Sequence, residues 1–419
     1  MPHDILYLVF SKRDYNNTFT FITLLSLLLF LFLFYFYLGK TQIINDEHWV
    51  WALTDLNSGQ LTELKTVDQY KYLGVNQKLT LQKTINKKSS DMEMKALAYA
   101  NAILKVTKTV PDKCDLMVRM WENVAIPSIL YGSESLPIPL ATIEKLQSVQ
   151  INVGKWILGV PRSTANTFAL LELGFKPMLT RIAVAKLNFY LKIKSEDGCQ
   201  LTKKCLTYLE DLGNSTYLSN LDEILSSFDL DRQSISALSV KEVLSRSFSE
   251  LLHDLNDKPS LRLLPAPARP WKCSSYISES TASRAIAGFR CMNAGLGNRD
   301  TFYKKYAVYV GSGRIVHCPL CLDGPNEEIH FLTACSSLHR SKQKIFICGQ
   351  GTVDAVLRRL RTKHNPSDDV QLMRLFLGQE RGLTRTMLLE RGKALEKLLV
   401  EFFRIWSTKA GETVPRKYK

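Results

Sequence analysis

Four residues in the C-terminal half have the types and the spacing to hold a metal ion. Cys318, Cys321, His330 and Cys335 form the series C-x2-C-x8-H-x4-C. Two thiolates on the tight Cys318-Pro-Leu-Cys321 knuckle, then an imidazole and a thiolate about one helical turn apart, can reach a single tetrahedral ion. Three soft sulfurs and one nitrogen suit zinc, and a site whose four positions are all filled by protein is structural rather than catalytic. The expected cofactor is therefore a structural Zn²⁺. His317, His339 and Cys348 lie nearby in the sequence and read as bystanders.

Other chemistry is hard to find. The chain contains no G-x-x-x-x-G-K-S/T, no G-x-G-x-x-G and no G-x-S-x-G, the words that cradle phosphates or expose a nucleophile, and no small-molecule substrate is expected. Asp368-Asp369 follows Asn365-Pro366-Ser367 and precedes an apolar helical pattern, which makes it a helix N-terminus rather than a metal-binding pair. Two groups of cations have the charge to meet phosphates: Arg358, Arg359, Arg361 and Lys363 in one, and Lys83, Lys87, Lys88 and, more loosely, Lys95 in the other. A solvated helix face accounts for either group equally well.

Composition bounds these readings. The 419 residues are 45% hydrophobic and 23% charged, close to globular averages, which excludes wholesale disorder and a polytopic membrane protein. Fifty-five lysines and arginines against 40 acids give +15, a balance that favours a polyanionic partner such as RNA or DNA. Nine cysteines, most of them scattered, point to a reducing compartment. From Thr18 to Leu38 run 21 uncharged residues rich in Phe and Leu, long enough for a transmembrane helix. Two origins stay open for it. The segment inserts as an uncleaved anchor and makes the chain a single-pass membrane protein, or it is a translated pyrimidine tract and the protein belongs in nucleus or cytoplasm.

The elements that must position these residues follow from periodicity. Short apolar runs broken at Asn57-Ser58-Gly59 read as a small strand-rich piece. From Ser89 the period becomes helical: Leu97, Ala100, Ile103 and Leu104; Leu116, Met120, Trp121 and Val124; Ile143, Leu146, Val149, Val153 and Trp156; Ile182, Ala185, Phe189 and Ile193. Each stripe reads as core packing. Pro259, Pro265, Pro267 and Pro270 read as a linker. Beyond it come a helix over 280–293, the cysteine-histidine segment, and helices over 351–362 and 367–406, the last broken near Gly378 to Gly382. The predicted fold class is mainly α: a thumb-like helical bundle with a strand-rich N-terminal piece, a transmembrane helix and a small zinc-knuckle module. The divisions are 1–17 tail, 18–38 transmembrane helix, 40–78 strand-rich piece, 79–198 bundle, 199–256 helical connector, 257–272 linker, 273–345 zinc-knuckle module and 346–419 basic helical segment.

A series of short words adds a family. KTQII at 40–44, YKYLGV at 70–75, IPSILYGSE at 126–134, Leu146-Gln147 with Gln150, WILGVP at 156–161, ALLELG at 169–174 and the helix from Arg181 to Lys194 occur in that order. The series resembles the region C-terminal to the catalytic palm in reverse transcriptases of non-LTR (LINE-type) retrotransposons. The helix Arg284 to Arg290 followed by CPLC, His330 and Cys335 resembles their C-terminal cysteine-histidine segment. The resemblance covers residues 40 to about 195 and 280 to 345. It implies that Tyr72, Leu73 and Gly74 sit on a primer-gripping hairpin, that residues 89–195 are the thumb, and that RNA or DNA is the partner.

The departure from the family concerns catalysis. Fingers and most of the palm would precede Lys40, where only 39 residues stand, and no F/Y-A-D-D word occurs. The expected function is thus a catalytically incomplete reverse-transcriptase fragment that binds RNA or DNA non-specifically. Two other readings are a membrane-anchored helical protein-interaction scaffold and a relic with no cellular role.

Overall fold

The computed structural model describes residues 80–292 apart from 107–112, 196–197, 214, 266, 268–269 and 279; residues 318, 320–321 and 328–410; and six short strands between 43 and 78. The protein is mainly helical. The strands are β1 (Ile43–Ile44), β2 (Ala52–Thr54), β3 (Leu61–Glu63), β4 (Thr66–Val67), β5 (Gln69–Tyr72) and β6 (Val75–Lys78). They pair two by two: β1 with β4 in parallel, β2 with β3 and β5 with β6 antiparallel. The Asn57-Ser58-Gly59 break falls between β2 and β3, where the sequence places a turn. The hydrophobic stretch Thr18–Leu38 lies outside the described residues, within which no helix is long and apolar enough to cross a membrane.

The helical body begins with α1 (Leu81–Val106), α2 (Lys113–Met120), a π-turn over Trp121–Ala125 and α3 (Ile126–Leu130). It continues through α4 (Leu140–Leu158), α5 (Asn166–Leu173), α6 (Met178–Lys194), α7 (Gln200–Leu212), α8 (Thr216–Ser226) and α9 (Ser239–Asp257). The apolar stripes build one core in which Ala100, Ile103, Trp121, Ile143, Leu146, Val153 and Ile182 are buried. Leu97 and Val124, members of the same stripes, are 54% and 51% exposed. A stripe about 100° wide has edges, and these residues sit at them.

One word of the ordered series, Leu146-Gln147 with Gln150, turns out to supply polar staples. Trp121 Nε1 donates to Gln150 Oε1 at 3.3 Å, Gln150 Nε2 donates to the Lys176 carbonyl at 3.0 Å, and the Met178 N–H donates to Gln147 Oε1 at 2.7 Å. Two glutamines of α4 thereby close off backbone groups at the start of α6 that no helix ladder satisfies. Gly174, ending α5 in a left-handed conformation at φ +67, faces the passing backbone of Trp271 and Lys272 so closely that a Cβ would stand 2.6 Å from it. Only glycine fits both demands.

The proline-rich stretch is not an open linker, contrary to its composition. Pro259–Leu261 forms a 3-10 turn, Leu261, Leu263 and Leu264 are buried, and the Trp271 ring meets Phe248 edge-on at 5.4 Å. Three leucines between the prolines supply enough apolar surface to hold the segment down. Leu261 and Leu264 belong to the first core and Leu263 to a second.

That second core is built from α10 (Thr281–Arg290), α11 (Glu328–Thr333), α12 (His339–Lys344), the hairpin β7 (Phe346–Ile347) with β8 (Gly351–Thr352), α13 (Val353–His364), α14 (Asp369–Arg374) and α15 (Arg385–Ala410). Asp368 caps α14, accepting from the Gln371 N–H at 2.8 Å, the role its sequence context implies. Helices α10 and α15 cross closely, because Gly392 leaves no side chain where a Cβ would lie 2.4 Å from the Ala282 carbonyl oxygen. The two cores are joined by a buried ion pair. Arg290 Nη1 reaches both carboxylate oxygens of Glu172, at 2.8 and 3.0 Å, while its Nε donates to the Leu377 carbonyl at 3.0 Å.

Candidate metal centre

The four residues that the spacing singles out come together. Cys318 and Cys321 flank a turn, His330 lies on α11, and Cys335 follows that helix and caps the 3-10 turn Ser336–Leu338. Helix α11 ends where it does because the N–H groups of Ala334 and Cys335 both bond the His330 carbonyl, at 3.0 and 2.8 Å. This folds Cys335 back toward the imidazole. All four ligand atoms lie within 4.8 Å of one another, with Cys318 Sγ 3.8 Å from Cys335 Sγ and Cys321 Sγ 3.1 Å from His330 Nε2. Cys318, His330 and Cys335 are buried and Cys321 half-buried. The cluster could hold one metal ion, and among the described residues it is the single grouping of three or more His, Cys, Asp or Glu side chains so disposed.

Electrostatics prepare the sulfurs unequally. The thiol of Cys335 donates to Cys318, which pulls the Cys318 pKa well below the ordinary thiol value and pushes that of Cys335 up. One proton is thus shared, with Cys318 the readier thiolate, and thiolate is the form that binds metals. Lys342, buried on α12, donates from Nζ to the Leu332 carbonyl at 3.1 Å. Burial lowers its pKa, while Cys335 pulls the other way. The turn is tied down too, since Ser337 Oγ donates to the Leu320 carbonyl at 3.0 Å. Neither Lys342 nor Ser337 is visible as a supporting residue in the sequence, because nothing in the spacing marks which side chain will fold over the quartet. His339 stands apart, its Nε2 2.9 Å from Gln343 Nε2, and Cys348 is exposed. His317 lies outside the described residues.

The cations fare less well as phosphate ligands. Lys88 is a correction: it is buried, its Nζ donates to the Tyr131 carbonyl, and desolvation holds its pKa down to about 8. A side chain spent on a loop carbonyl does not reach phosphate. Lys87 pairs with Asp91 at 2.9 Å, Arg358 with Asp354 at 2.7 Å, Arg361 with Asp369 at 3.2 Å and Lys363 with Glu380 at 3.3 Å. Each pair offsets charge that the sequence leaves free for a partner. Lys83 and Arg359 are exposed and carry no ion pair among the described residues. Tyr72 closes the β5–β6 ladder opposite Val75, and Leu73 and Gly74 between them lie outside the described residues.

Comparison of the chain with protein-family models, with curated proteins and with solved structures gives no match.

Proposed function

We propose that this chain is a nucleic-acid-binding fragment of the reverse-transcriptase type, with a thumb-like bundle, a structural zinc in its C-terminal core, and no capacity to copy a template. The observation that carries the reading is the closed quartet. A tetrahedron with Zn–S bonds of about 2.3 Å has S···S edges of about 3.8 Å, and the Sγ atoms of Cys318 and Cys335 stand 3.8 Å apart. The Cys321 to His330 contact of 3.1 Å is somewhat shorter than the corresponding S···N edge of about 3.5 Å. Four protein ligands leave no open position for a reacting water, so the ion supplies folding free energy and not Lewis-acid chemistry.

Two features support the nucleic-acid part, and a third the lack of copying. The net charge is +15. The order of the series matches hairpin, then helical bundle, then cysteine-histidine segment. The chain has no F/Y-A-D-D word to hold the two metal ions that nucleotidyl transfer uses. The test is binding of short labelled RNA and DNA oligonucleotides to the full chain as salt is raised. Affinity that falls steeply with salt and varies little with sequence fits phosphate contacts. No binding at low salt contradicts the reading and favours a helical protein-interaction scaffold.

A further inference from the structure

One large side chain is exposed where packing does not ask for it. In β7 the alternation of a strand sends Ile347 into the second core, fully buried, and Phe346 outward. The fold needs Ile347. It makes no use of the Phe346 ring, which is 62% exposed at an outward position that any polar residue would fill.

The surroundings of that ring are basic. Strand β7 runs against α15, and three links fix how the two align: Gln350 Nε2 donates to the Met387 carbonyl at 2.9 Å, the Cys348 thiol acts electrostatically on Lys393, and Lys344 acts on Glu401. Phe346, between Lys344 and Cys348, therefore lies beside the stretch of α15 from Lys393 to Glu401. That stretch presents Lys397 and the 40% exposed Val400 to solvent. Arg340, one turn before Lys344 on α12, is exposed as well. Lys393 is held by Glu390 and Glu401 by Arg404, but Arg340 and Lys397 have no ion pair among the described residues. Of the acids on that stretch and beside it, Glu390 and Glu401 are thus held by cations, and Glu396 accepts from Thr281 Oγ1 at 2.6 Å, which leaves Arg340, Lys344 and Lys397 as exposed cations on the elements around the ring.

We propose that Phe346 is a stacking platform for an unpaired base of single-stranded nucleic acid, with Lys344, Lys397 and Arg340 holding the flanking phosphates. An exposed aromatic face framed by cations is the arrangement that binds single strands without regard to sequence, because every base has a π-face and every nucleotide a charge. A duplex, whose bases are already stacked, gains nothing from the ring. The site follows the Cys335 turn in the chain, on α12 and β7, and Ile347 in the core with the links to α15 holds the platform in place. The inference rests on the nucleic-acid reading above and adds where and how the strand is held.

The test is fluorescence anisotropy of the full chain with a labelled pyrimidine oligonucleotide, single-stranded or annealed, across a salt series. Phe346→Ala removes an exposed ring and leaves the core untouched. It should weaken single-strand binding by roughly five- to a hundredfold without changing the salt slope, and should leave duplex binding as it was. Phe346→Trp should restore affinity. Lys397→Gln should instead lower the slope by about 0.7. Phe346→Ala that binds single strands like the parent overturns the platform while leaving the nucleic-acid reading intact, and so does an equal loss on the duplex. A parent chain that binds no oligonucleotide at low salt overturns both. A parent dimer that Phe346→Ala turns into monomers, with binding unchanged, gives the face to a second copy and overturns the proposal.

Discussion

Replacing Glu172 by glutamine removes one charge and almost no volume from a place where water does not reach. The side chain of Glu172 is fully buried and that of Arg290 is 6% exposed. In Glu172→Gln the guanidinium keeps its hydrogen bond from Nε to the Leu377 carbonyl at 3.0 Å and its position over the Tyr276 ring at 4.5 Å. It loses the one carboxylate it touches among the described residues. Removing one partner of a buried pair costs about 3–5 kcal/mol, mostly because the survivor stays desolvated and uncompensated. The contacts that remain place the loss near the lower end, about 3 kcal/mol, a large share of the 5–15 kcal/mol typical of a domain. Glu172→Leu combined with Arg290→Met removes both desolvation costs and should be less destabilised than either single change. Urea unfolding followed by far-ultraviolet circular dichroism, at matched slopes, measures all of these. A Glu172→Gln chain within about 0.5 kcal/mol of the parent would refute the idea that this pair clamps the two cores together.

Two further outcomes follow from the same structure. Lys186 is buried on α6, donates from Nζ to the Leu136 carbonyl at 2.7 Å and lies 4.9 Å from the Tyr217 ring centre. Desolvation holds its pKa down to about 7, with Glu134 pulling weakly the other way. The folded chain then binds fewer protons than the unfolded one between that value and the ordinary lysine range, so stability rises as pH is raised from about 7 to 10. Lys186→Met should flatten that rise in the urea midpoint, and an unchanged pH profile would show that Lys186 does not titrate there. With Mg²⁺ or Mn²⁺ and a primed template the chain should give no extension above a boiled control, since two-metal displacement needs a placed pair of carboxylates and the F/Y-A-D-D word that supplies it in the family proposed above does not occur in this sequence. Templated extension would overturn that prediction.

What the sequence discloses depends on how local the cause is. The metal quartet is legible because its ligands fall within 18 residues and because few other chemistries use a C-x2-C with a following His and Cys. The Asp368 cap and the breaks at Gly378 and Gly382 are legible for the same reason: a cap or a left-handed glycine is decided by its neighbours. The clamp is not, since Arg290 and Glu172 stand 118 residues apart and either alone looks like a surface charge. Lys88 misleads in the same way, as its partner is a loop carbonyl 43 residues on. The basic run at 358–363 overstates its free charge because Asp369, at the start of the next helix, and Glu380, beyond that helix, fold back onto it. The proline-rich stretch reads as a linker because composition counts the prolines and not the leucines between them.

Chelation bears on the second core in particular, since Cys318 and Cys335 are packed among Leu320, Phe331, Leu332 and Leu338 and are continuous with α13 and α15. The most direct measurement is metal content of the full chain purified under reducing conditions, by mass spectrometry that preserves bound ions, for the parent and Cys321→Ser. One zinc per parent chain, lost in the variant together with protection of α11 to α15 from proteolysis while α1 to α9 stay protected, is the result predicted here. A parent chain without metal, or a Cys321→Ser chain that keeps a full equivalent of zinc, would contradict it.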